Sequence, residues 1–270
     1  MLGAIIGDIV GSIYEFDNIK TKEFEFFHED CDFTDDSVMS IAVAEALLSA
    51  APDDYENEIR EKLVSSMKKW GRLYPHAGYG SKFSGWLTFN DTMPYNSYGN
   101  GSAMRVSAAG WLYDDIFTTR YMARLTAAVT HNHVEGIRGA EATAAAIFMA
   151  RYGASKEEIK AYIEKEFGYN LNFTCDEIRP TYYFNETCMN TVPQAIVAFL
   201  DGEDFEDVIR TGVSIGGDTD TLCAIAGSIA EAFYGIPEDM AETAKSYLEE
   251  DLLDAVEAFY NHLQQKKEVM

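Results

Sequence analysis

The chain has 270 residues, and its 47% of hydrophobic and 24% of charged residues are close to the average of globular proteins, which excludes intrinsic disorder and collagen-like structure. Its 45 Asp and Glu exceed its 21 Lys and Arg and give a formal net charge of -24. A surface this acidic repels a polyphosphate backbone, so a nucleic-acid partner is disfavoured, although it is not excluded.

Helical patterns run through most of the sequence. Three apolar, Ala-rich runs are too long for ordinary strands, which predicts buried helices over Val38–Leu48, Gly139–Ala150 and Leu222–Tyr234. Amphipathic helices are predicted over Tyr55–Trp70, Thr118–Val129, Lys156–Phe167, Phe205–Val213 and Met240–Leu263. No regular alternation indicates a strand pair, and no Pro- or Ser-rich linker divides the chain. We therefore predict an all-α fold, one domain over residues 1–270, with a central layer of apolar helices.

The N-terminal segment carries glycine at every fourth position. Gly3, Gly7 and Gly11 fall on one face of a helix, which is typical of close helix–helix packing. Asp8 and Glu15 are seven residues apart and also share a face. Glu15 is predicted at the helix end, where the dipole disfavours a carboxylate, so it is a candidate functional residue.

Two adjacent acids, Asp35 and Asp36, follow Thr34 just before the helix predicted over Val38–Leu48. Thr34 as an N-cap, with two acids at the positive end of the dipole, explains this arrangement on its own. Neighbouring carboxylates repel each other, however, and would gain from a bound cation. The segment is therefore either a helix cap or a metal-binding helix start.

Glycine also marks two predicted loops, Gly78–Gly85 and Ser97–Gly101. The second belongs to a run that leads into a helix and reads Asn96-Ser97-Tyr98-Gly99-Asn100-Gly101-Ser102-Ala103-Met104-Arg105. Backbone N–H groups in such a loop can bind phosphate oxygens, although no Gly-Lys-Ser/Thr follows as in a P-loop. An ordinary polar loop explains the run equally well.

Two later segments offer weaker signals. His131 and His133 are two residues apart and cannot share a helical face, and no third His or Cys lies nearby. A histidine that forms a hydrogen bond to a ligand or a neighbouring helix is therefore favoured over zinc. The segment Tyr169–Asn190 is polar, aromatic and aperiodic, and it is predicted as a long loop and a candidate lid.

A second acidic helix start follows at Gly216-Gly217-Asp218-Thr219-Asp220-Thr221. An elaborate N-cap after a glycine turn would explain it alone, but not the repetition of the same chemistry before two apolar helices. If the two helix starts meet, they offer four carboxylates and several hydroxyls. These hard oxygen donors favour Mg²⁺, Mn²⁺ or Ca²⁺ over zinc or copper, and four carboxylates could hold two ions.

Cysteine usage and hydropathy predict the compartment. No segment is long enough to cross a bilayer, and Leu2–Tyr14 lacks the basic region of a signal peptide. The four cysteines are widely spaced, which predicts neither disulfides nor a zinc site. We expect a cytoplasmic protein with reduced thiols, no membrane partner and a monomeric state.

Taken together, five motifs in order resemble the ADP-ribosylglycohydrolases, the DraG-like ADP-ribosyl hydrolases. The resemblance covers nearly the whole chain, and the last motif and the first acid pair are its specific parts. The motifs are Gly7-Asp8 with Gly11 and Glu15, Thr34-Asp35-Asp36, Gly78-Tyr79-Gly80, Tyr98-Gly99-Asn100-Gly101-Ser102-Ala103-Met104-Arg105 with Thr130-His131, and Gly216-Gly217-Asp218-Thr219-Asp220-Thr221. Many members end the second motif in Thr, whereas this chain has Ser37, a change that we expect to be tolerated.

The resemblance implies an orthogonal all-α bundle with two Mg²⁺ (or Mn²⁺) ions in a cleft. The implied metal ligands are Thr34, Asp35, Asp36, Asp218, Asp220 and Thr221. Glu15 would take part in catalysis or gating, with Asp35 and Asp36 as further candidates for acid and base. The implied ADP-ribose-binding residues are Gly78, Ser97, Tyr98, Gly99, Asn100, Gly101, Ser102 and His131.

The implied reaction is hydrolysis of the glycosidic bond between ADP-ribose and an acceptor, which is a modified protein side chain or a small conjugate. Two alternatives stay open at this point: a relative that keeps the fold but only binds ADP-ribose, and a two-metal phosphohydrolase. The leaving group is not predicted, because the segment Tyr169–Asn190 matches no motif of the family.

Overall fold

The computed structural model describes residues 1–51, 53–90 and 92–269. Within those ranges the chain forms helices and no β-strand, so the all-α prediction is confirmed. The helices are α1 (Leu2–Ser12), α2 (Asp35–Leu48), α3 (Glu56–Leu73), α4 (Ser81–Thr88), α5 (Gly101–Met104), α6 (Ser107–Leu112), α7 (Ile116–Ala128), α8 (Val134–Arg151), α9 (Lys156–Phe167), α10 (Cys175–Ile178), α11 (Cys188–Asp201), α12 (Phe205–Ile215), α13 (Thr219–Tyr234), α14 (Glu238–Lys245) and α15 (Glu250–Val269). None of these helices is both long and apolar enough to span a membrane.

The three apolar runs predicted as a central layer correspond to α2, α8 and α13, and the apolar helix α1 packs against α13. Their core residues belong to one hydrophobic cluster that extends from Met1 to Phe259. The organisation of residues 1–270 as a single domain stays a prediction.

Helices α1 and α13 approach so closely that only glycine fits between them. A Cβ atom on Gly7 would lie 2.1 Å from the carbonyl oxygen of Cys223, and one on Gly3 would lie 2.3 Å from that of Gly227. The same is true from the side of α13, since a Cβ atom on Gly227 would lie 2.2 Å from the carbonyl oxygen of Gly3. The glycine repeat therefore serves helix packing, and the interpretation made from the sequence is confirmed. This close contact fixes α1 and α13 relative to each other.

Three sequence predictions are wrong in their boundaries. Met240–Leu263 is not one helix, because a turn separates α14 from α15, with Leu248 buried and the Tyr247 hydroxyl donating to the carbonyl of His28 at 3.2 Å. Gly78–Gly85 is only partly a loop, since α4 begins at Ser81. The segment Tyr169–Asn190 contains α10 and the start of α11.

Candidate functional site

A cleft of about 700 Å³ lies where the N-terminal ends of α2 and α13 meet. It brings together residues from motifs that lie as far apart in the sequence as Glu15 and Thr221. The residues predicted from sequence that line it are Glu15, Thr34, Asp35, Asp36, Gly78, Ser97, Tyr98, Gly99, Asn100, Gly101, His131, Asp218, Asp220 and Thr221. Ser102 does not line the cleft; it is fully buried, and its hydroxyl donates to the carbonyl of Gly136 at 2.7 Å.

The two acidic helix starts are in contact. The Thr221 hydroxyl donates to Asp36 Oδ2 at 3.1 Å, which joins α13 to α2. Carboxylate oxygens of Asp8, Asp36 and Asp220 lie within 4.8 Å of one another, and so do those of Glu15, Asp218 and Asp220. Asp220 is therefore common to two acidic groups that adjoin each other.

Burial without a counter-ion raises the pKa values of these acids. Desolvation is the main cause in every case, and at all of these acids except Asp8 the neighbouring carboxylates add to it. It raises the pKa of Asp8 and of Asp218 to about 6 and that of Glu15 to about 8. The pKa values of Asp35, Asp36 and Asp220 are also raised well above the usual carboxyl range. In the described parts of the chain, none of the six forms an ion pair with Lys, Arg or His.

The donor set fits a hard divalent cation. Asp36 Oδ1 is buried and has no hydrogen-bond partner among the described residues, so a ligand position is free there. Both acidic groups offer only carboxylate oxygens, with neither His nor Cys among them. Such oxygen-only sites suit Mg²⁺, Mn²⁺ or Ca²⁺. The acidic groups could thus bind metal and relieve the repulsion between the carboxylates.

Asp8 supports this site, although the sequence did not identify its role. Its Oδ2 accepts hydrogen bonds from the Thr34 amide at 2.8 Å, the Ser37 amide at 3.0 Å and the Ser37 hydroxyl at 2.5 Å. Its Oδ1 accepts from the Thr34 hydroxyl at 2.7 Å. Asp8 therefore holds the first turn of α2 from the neighbouring helix, and Ser37 supplies a hydroxyl that this role uses. The sequence placed Asp8 beside the glycine face but gave no sign of these partners.

Glu15 lies beyond helix α1 rather than at its end. Helix α1 ends at Ser12, and Glu15 follows in a bend. Asn18 ties this bend to the second acidic motif, because its Nδ2 donates to the carbonyls of Glu15 and Gly217, both at 3.0 Å, and its Oδ1 accepts from the Gly217 amide at 2.7 Å. The contacts of Asn18, rather than the helix dipole, hold Glu15 next to Asp218 and Asp220.

Asn100 has a second connection that the sequence did not reveal. Only 6% of it is exposed, and its Nδ2 donates to Asp218 Oδ2 at 2.7 Å and to Thr191 Oγ1 at 3.2 Å. Its amide side chain is therefore bonded to an acid of the cleft. Substitution of Asn100 would disturb that acid as well as any ligand.

The end of the segment predicted as a lid forms one wall of the cleft. The Asn100 amide donates to the carbonyl of Glu186 at 2.8 Å, and the Cys188 amide donates to the carbonyl of Tyr98 at 3.0 Å. The residues of this segment that line the cleft are Phe184, Asn185, Glu186 and Thr187. They are fastened to the Tyr98–Asn100 loop, and a lid movement stays a hypothesis.

Several lining residues lie outside the site predicted from sequence. They are Gly80, Ser81, Lys82, Phe83, Tyr95, Asn96, Met104 and Arg105. Some of them stand within the quoted motifs. Lys82 and Phe83 lie only in the predicted loop Gly78–Gly85, and Tyr95 lies in no segment that the sequence singled out. The two histidines have separate places: His131 lines the cleft, whereas His133 Nδ1 accepts from the Glu135 amide at 3.1 Å and caps α8. Neither belongs to an acidic group that could hold a metal.

Known proteins resemble the chain over almost its whole length. The sequence profile described as ADP-ribosylglycohydrolase matches residues 1–268. The human protein named ADP-ribosylhydrolase ARH3 is 28% identical, over 94% of this chain and 90% of its own length. A Pseudomonas putida protein named ADP-ribosylarginine hydrolase Tri1 is 25% identical, over 87% of this chain and 70% of its own. A solved structure titled ADP-ribosylglycohydrolase-related protein complex is similar with a TM-score of 0.71 and 25% identity, over 96% of both chains.

Proposed function

Since the chain belongs to the ADP-ribosylglycohydrolase family, we propose that it is a metal-dependent hydrolase that cleaves the glycosidic bond between ADP-ribose and an acceptor and releases ADP-ribose. The observation that carries this proposal is the meeting of the two acidic helix starts in one cleft with the glycine-rich loop. That arrangement combines a cation site with a site for a nucleotide-like ligand.

The proposed cofactors are two Mg²⁺ or Mn²⁺ ions. The residues that would hold them are Thr34, Asp35, Asp36, Asp218, Asp220 and Thr221. When bound, such ions supply Lewis acidity toward the ribose hydroxyls and make a coordinated water more acidic. The free Oδ1 of Asp36 and the raised pKa values of the acids support this assignment.

General acid–base catalysis of the proposed reaction requires a carboxyl group that can accept or release a proton near neutral pH. Glu15 fits this role, because it lines the cleft next to Asp218 and Asp220, where bound cations would favour its charged form. We propose that Glu15 accepts the proton of the attacking water, with Asp35 and Asp36 as the other candidates. An oxocarbenium-like transition state also requires a firmly held sugar.

The glycine-rich loop is the proposed site of ADP-ribose. The backbone amide of Gly101 would bind the diphosphate, and Gly78, Ser97, Tyr98, Gly99, Asn100 and His131 would line the rest. Gly78 has a φ of +103°, which a residue with a side chain rarely adopts, and its Cβ would lie 3.5 Å from Asp35 Oδ1. A glycine there lets the ligand approach both the loop and the acids.

The acceptor that we propose is a modified protein side chain. One relative is named as an ADP-ribosylarginine hydrolase, which makes ADP-ribosylated arginine the first substrate to test. We further propose that the protein acts in the cytoplasm as a monomer. All four cysteines are free and buried, which agrees with a reducing compartment. Light scattering in solution would test the monomeric state.

A substrate panel tests the activity. The protein would be incubated with Mg²⁺ and proteins ADP-ribosylated on arginine or on serine, and both ADP-ribose and inorganic phosphate would be measured. Release of ADP-ribose that EDTA and Asp220→Asn abolish would support the proposal. Release of phosphate would favour a phosphohydrolase, and tight ADP-ribose binding without turnover would favour a binding protein.

A further inference from the structure

His131 presents one ring nitrogen to the cleft. Its Nε2 has no hydrogen-bond partner among the described residues and lies beside the glycine-rich loop: a Cβ atom on Gly101 would be 3.3 Å from it, and one on Gly99 would be 3.5 Å from it. A neutral imidazole has one donor nitrogen and one acceptor nitrogen. The tautomer therefore decides whether His131 offers the ligand a donor or an acceptor.

The buried Arg105 is connected to the other ring nitrogen of His131, Nδ1, through the hydroxyl of Thr130. Only 1% of Arg105 is exposed, and it forms no ion pair within the described residues. Its Nη2 donates to the Thr130 hydroxyl at 2.7 Å and more weakly to the carbonyl of Thr126 at 3.3 Å. A guanidinium can only donate, so the oxygen of Thr130 must accept from Arg105.

The Thr130 hydroxyl then has one proton to give. His131 Nδ1 lies 2.7 Å from Thr130 Oγ1, a good hydrogen-bond distance. The Tyr95 hydroxyl is the other group that competes for Thr130, since burial raises the pKa of Tyr95 and Thr130 partly offsets this rise. Tyr95 carries a proton of its own and can donate it to the remaining lone pair of Thr130. With this order Thr130 donates to Nδ1, and Nε2 carries the ring proton.

We infer that Arg105 and Thr130 are positioning residues that fix His131 as the Nε2–H tautomer, so that it donates a hydrogen bond to an oxygen of the ligand in the cleft. The identification of that oxygen with the diphosphate of ADP-ribose rests on the proposed function. Burial, and secondarily the charge of Arg105, lower the pKa of His131 well below its usual value, so the ring is neutral and its tautomer matters.

Nuclear magnetic resonance of the ring nitrogens tests the tautomer directly. In protein with ¹⁵N-labelled histidine rings, His131 is assigned by comparison with the His131→Gln variant. We expect an acceptor-type shift for Nδ1 and a protonated shift for Nε2. A protonated Nδ1 would overturn the inference, whatever the enzyme hydrolyses.

Substitution of Thr130 tests the relay. Thr130→Val keeps the shape and removes the hydroxyl, so we expect the Nε2–H signature to be lost and free ADP-ribose to bind roughly tenfold more weakly, which corresponds to about one hydrogen bond. Thr130→Ser restores the hydroxyl and should restore both properties. Tyr95→Phe, which removes the competing partner of Thr130, should keep the Nε2–H signature.

Two further measurements keep the result unambiguous. Calorimetry with Mn²⁺ should give the same metal affinity for Thr130→Val and the parent, because Thr130 touches none of the proposed metal ligands.

If Thr130→Val is too unstable to study, Thr130→Ser and Tyr95→Phe still test the tautomer, and loss of the Nε2–H signature in Thr130→Ser would overturn the inference. If the protein hydrolyses no ADP-ribose linkage while the tautomer and its dependence on Thr130 hold, the proposed function fails and the tautomer assignment stands.

Discussion

At the scale of single residues, burial, and then the neighbouring acids Asp220, Asp8 and Glu186, raise the pKa of the Glu15 carboxyl to about 8. Glu15→Gln keeps the shape and removes the charge. Activity should fall by about 10²–10⁴-fold, because a positioned acid–base group is lost. Stability in EDTA at pH 9 should stay the same or rise, since Glu15 is charged there and repelled by its neighbours. The melting midpoint and the rate of ADP-ribose release are measured side by side.

Asp17→Asn is the matched control for Glu15, because Asp17 is exposed two residues later and does not line the cleft. It should change neither property. A Glu15→Gln variant that melts much earlier but turns over at the parental rate would mean that Glu15 is a structural anchor.

Asn100 and Asp218 share a hydrogen bond, so their substitutions should not be independent. Asp218→Ala should abolish turnover through loss of metal. The sequence predicts that Asn100→Ala mainly weakens ADP-ribose binding, but the 2.7 Å bond to Asp218 Oδ2 adds a loss of metal affinity. We expect Mn²⁺ to bind about 10–100-fold more weakly to Asn100→Ala, as is usual when a partner of a metal ligand is removed. Calorimetry with Mn²⁺ measures this, and unchanged Mn²⁺ affinity would contradict it.

At the level of single residues, the sequence could predict the kinds of donors but not their partners. Hydroxyl and acid clusters at two helix starts predict acidic groups that could hold a cation, because capping explains each cluster alone but not both. The four hydrogen bonds to Asp8 and the bond from Asn100 to Asp218 depend on how distant helices pack. Spacing in the sequence carries no information about such contacts.

At the level of elements, the contact of α1 with α13 sets the geometry of the cleft. Gly7→Ala would place a methyl group 2.1 Å from the Cys223 carbonyl oxygen, which is backbone and cannot move without shifting the helix. We expect a loss of about 1–3 kcal/mol or more in the free energy of unfolding. Gly85→Ala is the control, since the nearest atoms would be 3.8 Å away on the Phe89 ring. It should be neutral or gain about 0.5–1 kcal/mol in its helix.

Urea unfolding measures the free energy of unfolding of Gly7→Ala and Gly85→Ala. The comparison separates the cost of disturbed helix packing from the gain in helix propensity. Equal stability of Gly7→Ala and the parent protein would mean that α1 and α13 can move apart, and that the acidic helix starts are not held at a fixed separation.

Helices with a strong local signal could be predicted, and those shaped by packing could not. The bounds predicted for Lys156–Phe167 agree with α9, where Ser155 and Glu158 form a capping box that local sequence specifies. The sequence does not predict helix α11, because Pro193 stands inside it and normally indicates a helix boundary. The break between α14 and α15 was missed because it depends on burial of Leu248 against the core.

At the level of the whole molecule, the formal charge of -24 and the acids of the cleft both add electrostatic repulsion to the folded protein. The acids of the cleft are held together by the packing of α1, α2 and α13, and this packing opposes their repulsion. A cation that binds only the folded protein neutralises this repulsion and therefore stabilises the fold. Metal binding and folding are therefore expected to be linked.

The pH dependence of stability follows from the raised pKa values. The pKa of Asp8 and of Asp218 is about 6 and that of Glu15 is about 8 in the folded protein, above the value of roughly 4 expected when unfolded. The folded, metal-free protein therefore binds more protons than the unfolded chain between about pH 4 and 8, so its stability falls as pH rises through this window. In EDTA the protein should melt at a lower temperature at pH 8 than at pH 6.

Divalent cations should remove this dependence, because they take the place of the protons. At a free concentration about a hundred times Kd, Mg²⁺ or Mn²⁺ adds about 3 kcal/mol, or roughly 5–10 °C in the melting midpoint. The rise should be larger at pH 8 than at pH 6, where protons compete for the carboxylates. Asp220→Asn removes the acid common to both groups and should melt almost identically with EDTA and with Mg²⁺. Parental midpoints that do not differ between EDTA and Mg²⁺ at pH 8 would show that the acids of the cleft do not form a cation site.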